Sequence, residues 1–134
     1  CRAVQLFMPG VPQVWYLDLF TGKNDHEALK RAGAGGHKEI NRTNLSMERI
    51  EGELQSTIVR RQLELLRFRN TFPAFGFEAS LKVSQPEEHL LQFTWEQNGY
   101  RATLDANLYD ASFAANGITP ERDLAFSLEQ NKED

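Results

Sequence analysis

The stretch from Asp18 to Leu45 holds the densest set of side chains able to bind or hold a ligand: Asp25, His26, His37, Lys38, Glu39, Asn41 and Arg42, spaced by Gly22, Gly33, Gly35 and Gly36. Hydrophobic periodicity is absent there, so the segment reads as a long polar loop with a helical turn over Glu27 to Arg31. Loops of this length inside compact domains are uncommon, and they are more often functional or disordered than merely connecting. Arg42 offers several donors in fixed geometry; it either reaches a ligand or pairs with Glu39 or Asp25 to hold the loop in shape. Asn24 and Asp25 follow Gly22 within a turn, where an Asx side chain caps its own backbone more often than it touches a ligand. His37 and Lys38 at the loop tip are either a cation pair suited to an anion or two solvated side chains. His26 and His89 have no partner pattern and are assigned no chemistry.

Composition narrows the classes of function. Fifteen basic residues against nineteen acidic ones leave a formal charge of -4, so no global positive field draws in a polyphosphate backbone, and nucleic acid is not an expected partner. Arg60, Arg61, Arg67 and Arg69 scatter around a helical cylinder and read as a solvated face. With Cys1 as the single cysteine, an internal disulfide is impossible. Neither a second cysteine nor a His pair stands at ligand spacing, so neither metal nor cofactor is expected. The chain lacks an apolar run long enough to span a bilayer and a visible leader; the expectation is no membrane association and a cytoplasmic location.

The elements that must position the loop come next. At 134 residues the chain has room for one ordinary domain. It starts at Cys1 and runs directly into the apolar Ala3 to Met8 without a capping residue, which reads as the later part of a helix in a longer protein. Pro9-Gly10-Val11-Pro12 breaks the pattern. Gln13 to Leu17 then reads as a strand covered on both faces, as in a parallel α/β sheet, where Trp15, Tyr16 and Phe20 either stack on a sugar ligand or, as is more common on a buried strand, fill the core. Helical signals return at Ser46, and Ser56 caps a stronger helix whose apolar stripe on Val59, Leu63 and Leu66 should pack on a sheet until Pro73 stops it. Beyond Pro73 the period changes to two. Phe77 to Val83 and Leu91 to Trp95 alternate, Asn98-Gly99 gives a hairpin, and Tyr100 to Leu104 return, forming an antiparallel meander. Leu108, Tyr109 and Phe113 mark a possible further strand, Asn116-Gly117 reads as a turn, and Leu128 to Asp134 is expected to fray.

Phe7-Met8-Pro9-Gly10-Val11-Pro12-Gln13-Val14-Trp15-Tyr16 resembles the segment leading into the eighth barrel strand of the α-amylase superfamily. The continuation Leu19-Phe20-Thr21-Gly22-Lys23-Asn24-Asp25, followed by Glu39-Ile40-Asn41-Arg42, is similar to the sucrose phosphorylase subfamily. The resemblance covers residues 3 to 75 well and the terminal sheet by arrangement. It implies an α+β fragment: the last strand, loop and helix of a (β/α)8 barrel over 1–75, then a small antiparallel β domain over 76–134. It departs from the sucrose-acting pattern where Gly36-His37-Lys38-Glu39 replaces Gly-Arg-Asp, and this turns the expectation toward the glucosylglycerate-type branch.

That subfamily consists of retaining glycoside phosphorylases, so the resemblance implies an α-glucoside and inorganic phosphate as the partners of a full-length enzyme. It makes Arg42 the principal candidate for holding the transferred glucose, with Asn41, Glu39, Asp25, His37 and Lys38 as further substrate-binding candidates on the loop at the barrel's C-terminal face. Retaining chemistry needs two carboxylates about 5 Å apart, and the family places them upstream of residue 1. No catalytic residue is therefore assigned here, and the chain alone is expected to be inactive. The competing expectations are a non-catalytic packing or carbohydrate-binding module, self-associating through exposed Val14, Trp15 and the helix stripe, and a hydrolase of the same superfamily.

Overall fold

The computed structural model describes residues 1–131, which divide into two compact units, one made of 1–12 with 63–131 and the other of Gln13–Gln62. The first unit is discontinuous in sequence. It joins helix α1 (Arg2–Phe7), most of the long helix α5 (Thr57–Thr71), a 3-10 turn over Pro73–Phe75 and five strands. These are β1 (Ser80–Glu87), β2 (Leu90–Gln97), β3 (Tyr100–Asn107), β4 (Phe113–Ile118) and β5 (Leu124–Gln130), antiparallel neighbours in chain order.

The alternating residues make one core-facing surface. Leu81, Trp95, Ala102, Gly117 and Phe126 lie side by side across the five strands, and Val83, Phe93, Leu104, Ala115 and Leu128 form the next row. Trp95 on β2 stands beside the small Ala102 and Gly117 of β3 and β4, which leaves room for helices. Phe68 of α5 stacks on Phe126 at 3.9 Å between centroids, and Phe7 of α1 meets Phe75 edge-on at 5.3 Å. The Trp95 indole, buried, donates to the Phe7 carbonyl at 2.8 Å and so ties β2 to the end of α1. The hairpin turn forms as its sequence dictates, with Asn98 and Gly99 both left-handed at φ 51° and 83°.

Three readings of the sheet are corrected. Asn116-Gly117 is no turn: both sit within β4, and a Cβ at 117 would come within 2.6 Å of the Phe68 ring, so this glycine serves close packing instead of chain reversal. The chain past Leu128 does not fray at once, because β5 continues to Gln130 on β4; 132–134 lie outside the described residues. Phe77 precedes β1 and is fully exposed. Strand β1 instead extends through Pro86, tolerated because β1 is an edge strand with a register shift between Ser84 and Glu87.

The second unit holds a short helix α2 (Tyr16–Leu19), α3 (His26–Ala32), a 3-10 turn over His37–Asn41, α4 (Met47–Glu53) and the start of α5. Gln13 to Leu17 does not form the expected strand: the backbone is irregular through Trp15 and then helical. A strand is defined by a ladder partner, and all five described strands pair among themselves. Leu17 and Val59 are the buried apolar residues of this unit. Ser56 caps α5 as its sequence indicates, its hydroxyl accepting from the Val59 N–H at 3.3 Å. The buried line on α5 runs Val59, Gln62, Leu65, Phe68, one residue around the cylinder from the expected Leu63 and Leu66. Among the described residues no helix is long and apolar enough to cross a membrane.

Candidate functional site

The second unit carries every candidate ligand-binding side chain. Asp25 caps α3, its carboxylate accepting from the Ala28 N–H at 2.8 Å, with Arg31 at 3.9 Å from its other oxygen. Helix α3 also has Glu27 in its first turn and Lys30 and Arg31 in its last, the arrangement the helix dipole favours. The Asp25 N–H donates to the Ile40 carbonyl at 2.7 Å. That bond brings the start of α3 against the 3-10 turn bearing Glu39, Asn41 and, just beyond it, Arg42.

Two aromatic side chains clasp the far side of the turn. The Trp15 indole donates to the Asn41 carbonyl and the Tyr16 hydroxyl to the Thr43 carbonyl, each at 2.8 Å. The Thr43 hydroxyl in turn donates to the Lys23 carbonyl at 3.2 Å. Trp15 and Tyr16 therefore act through their polar tips and not as core filler of a strand. Sequence reasoning missed this, although an indole and a phenol beside a long polar loop are the side chains that combine an apolar body with a hydrogen-bonding end. A second tie lies at the loop's start, where the Thr21 hydroxyl donates to a Glu53 carboxylate oxygen at 2.7 Å.

Arg42 donates to Glu39 at 3.1 Å, with the two side chains 52% and 44% exposed. The loop-holding alternative for Arg42 is thus the contact present, and enough of the guanidinium stays open to meet a ligand. His37 and Lys38 are exposed on the same 3-10 turn. The structure gathers Asp25, Glu39, Asn41 and Arg42 into one hydrogen-bonded patch and leaves His37 and Lys38 at its solvent side. The patch combines guanidinium donors with carboxylate acceptors, and the Lys38 ammonium lies beside it.

No family model matches the chain. Individual proteins do, and they are phosphorylases that act on glucosides. A sucrose 6(F)-phosphate phosphorylase of Ilumatobacter coccineus is 52% identical over 122 residues, 91% of this chain and 22% of the relative. A glucosylglycerol phosphorylase of Marinobacter adhaerens is 36% identical over 107 residues, 80% of this chain and 22% of its own length. The crystal structure of sucrose 6F-phosphate phosphorylase from Thermoanaerobacter thermosaccharolyticum superposes with a TM-score of 0.82 at 32% identity, covering 96% of this chain and 25% of that one. Over most of its length this chain is a homologue of the sucrose phosphorylases, and the part it matches is their C-terminal region. It spans about a fifth to a quarter of the length of the relatives it matches.

Proposed function

We propose that this chain is the C-terminal part of a retaining glycoside phosphorylase, working in the cytoplasm, that transfers glucosyl between an α-glucoside and inorganic phosphate. The observation that carries the reading is the 52% identity to a sucrose 6(F)-phosphate phosphorylase across nearly the whole chain, together with the clasped turn that presents Arg42. In this reading residues 1–75 close a (β/α)8 barrel and 76–134 form the antiparallel domain that follows. Arg42, Asn41, Glu39 and Asp25 line one wall of the glucose pocket. A carboxylate elsewhere in the parent displaces the leaving group at the anomeric carbon and forms a glucosyl ester. Phosphate oxygen then attacks that carbon, the carboxylate leaves, and two inversions return the α-configuration.

For the donor we place sucrose 6-phosphate first, because relatives at 52% and 40% identity bear that activity in their names, and a glucosylglycerate-type donor second. Both are anions, and the exposed His37 and Lys38 suit either one. The test is phosphorolysis by the full-length protein on sucrose, sucrose 6-phosphate, glucosylglycerol and glucosylglycerate, with phosphate present and absent. Glucose 1-phosphate formation from an anionic donor is expected; hydrolysis indifferent to phosphate would exclude a phosphorylase. Without the rest of a barrel, the chain is proposed to self-associate through apolar surface that includes Trp15, 45% exposed. A clean monomer in sedimentation at high concentration would argue against that.

A further inference from the structure

Arg42 follows a turn whose backbone is gripped from outside, while its own side chain has one weakly held partner. The Ile40 carbonyl accepts from the Asp25 N–H at 2.7 Å, the Asn41 carbonyl from the Trp15 indole at 2.8 Å and the Thr43 carbonyl from the Tyr16 hydroxyl at 2.8 Å. The Arg42 N–H donates to the Glu39 carbonyl at 3.3 Å. Trp15 precedes α2 as its N-cap and Tyr16 is its first residue, so two neighbouring side chains hold the carbonyls on either side of Arg42. Their rings lie 5.0 Å apart between centroids, tilted by 49°, and Leu17 beside them is buried. By contrast, the Arg42 guanidinium meets Glu39 at 3.1 Å in a half-exposed pair.

An exposed ion pair of this kind contributes little, so giving it up for a ligand acceptor costs little. A displacement of about 1 Å in a group that holds the reacting molecule can cost on the order of 100-fold in rate. Accuracy at Arg42 must therefore come from its backbone, because the side chain's own pair is too weak to supply it. We propose that Trp15 and Tyr16 are positioning residues for glucosyl transfer: their polar tips fix the backbone on both sides of Arg42, and the guanidinium exchanges Glu39 for hydroxyls of the transferred glucose while the turn stays in place. The proposal rests on the reading of Arg42 as part of the glucose pocket. Neither ring touches the sugar in this role; each acts through Arg42.

The experiment is a double-mutant cycle in the full-length protein. Tyr16→Phe, which removes one oxygen and keeps the ring, is made alone and on an Arg42→Ala background. Alone it is expected to lower kcat/KM for glucosyl transfer about 3- to 10-fold, the worth of one hydrogen bond; on the Arg42→Ala background it should cost less than about twofold. Equal losses in both backgrounds overturn the proposal, since a smaller folded fraction or a separate contact with substrate would multiply into both. Trp15→Phe repeats the cycle where Tyr16→Phe folds poorly. A second readout needs no turnover: amide hydrogen exchange over residues 39 to 44 of the full-length protein, without substrate, should be faster in Tyr16→Phe than in the parent, and an unchanged rate also overturns the proposal. A harmless Arg42→Ala would refute the glucose-pocket reading and the positioning role with it, whereas a costly Arg42→Ala with equal Tyr16→Phe losses refutes the positioning role alone. Transfer is read to phosphate and to water, so loss of phosphate dependence with the coupling intact would refute the proposed activity and support the positioning role.

Discussion

The Arg42–Glu39 pair is about half exposed, and such pairs contribute roughly 0.2–1 kcal/mol to stability. Arg42→Ala is therefore expected to leave the urea midpoint of the chain nearly unchanged. In the full-length protein the same change should lower kcat/KM for glucosyl transfer by about 10- to 100-fold, the worth of one or two charge-assisted hydrogen bonds to sugar hydroxyls. Kinetics and urea unfolding on the same variant separate the two effects; parallel losses would leave Arg42 a loop brace only. His37→Ala with Lys38→Ala should raise KM for an anionic donor and leave neutral sucrose unaffected, checked by the ratio of the two KM values. Gly117 is a packing constraint inside the sheet unit, since an added methyl meets the Phe68 ring at 2.6 Å. Gly117→Ala should cost about 1–3 kcal/mol as overpacking, measured by chemical denaturation.

At the level of elements, most of the strand and helix pattern was legible, because period two and helical spacing leave direct traces in sequence. The Ser56 cap, α5 and the Asn98-Gly99 hairpin all followed local rules that the fold respects. Ser56→Ala should cost about 1 kcal/mol, seen as a lower thermal midpoint. Gly99→Ala should also destabilise by about 1 kcal/mol or more, because φ of 83° is forced by the turn and Pro120 stands 3.1 Å from where the methyl would go. What local rules could not reveal were the features decided by a distant partner. Asn116-Gly117 carries a turn signature, and only pairing with β3 on one side and β5 on the other makes it a strand. Arg69 shares the spacing of its solvated neighbours, yet Phe75 and Trp95 close over it. Gln13 to Leu17 has strand composition and no described partner to pair with. In the loop, the residue types drew attention to Asp25, Glu39 and Arg42, whereas the Trp15 and Tyr16 clasp depends on a reversal of the chain that no periodicity records.

For the molecule as a whole, the expected outcome is that the 134-residue chain shows no phosphate-dependent breakdown of any α-glucoside, since in the proposed reading the nucleophile and acid belong to another part of the parent. Glucose 1-phosphate release by the purified chain is the measurement, and sustained turnover would contradict it. The discontinuity of the first unit has a consequence in time. Leu6 and Phe7 are almost wholly shielded, and their ring partners include Phe68, Phe75 and Phe93. During synthesis at about 5–20 residues per second, α1 leaves the ribosome on the order of ten seconds before β2 exists to receive it. For that interval its apolar face is open to whatever the cell offers, which makes this segment a natural grip for a chaperone.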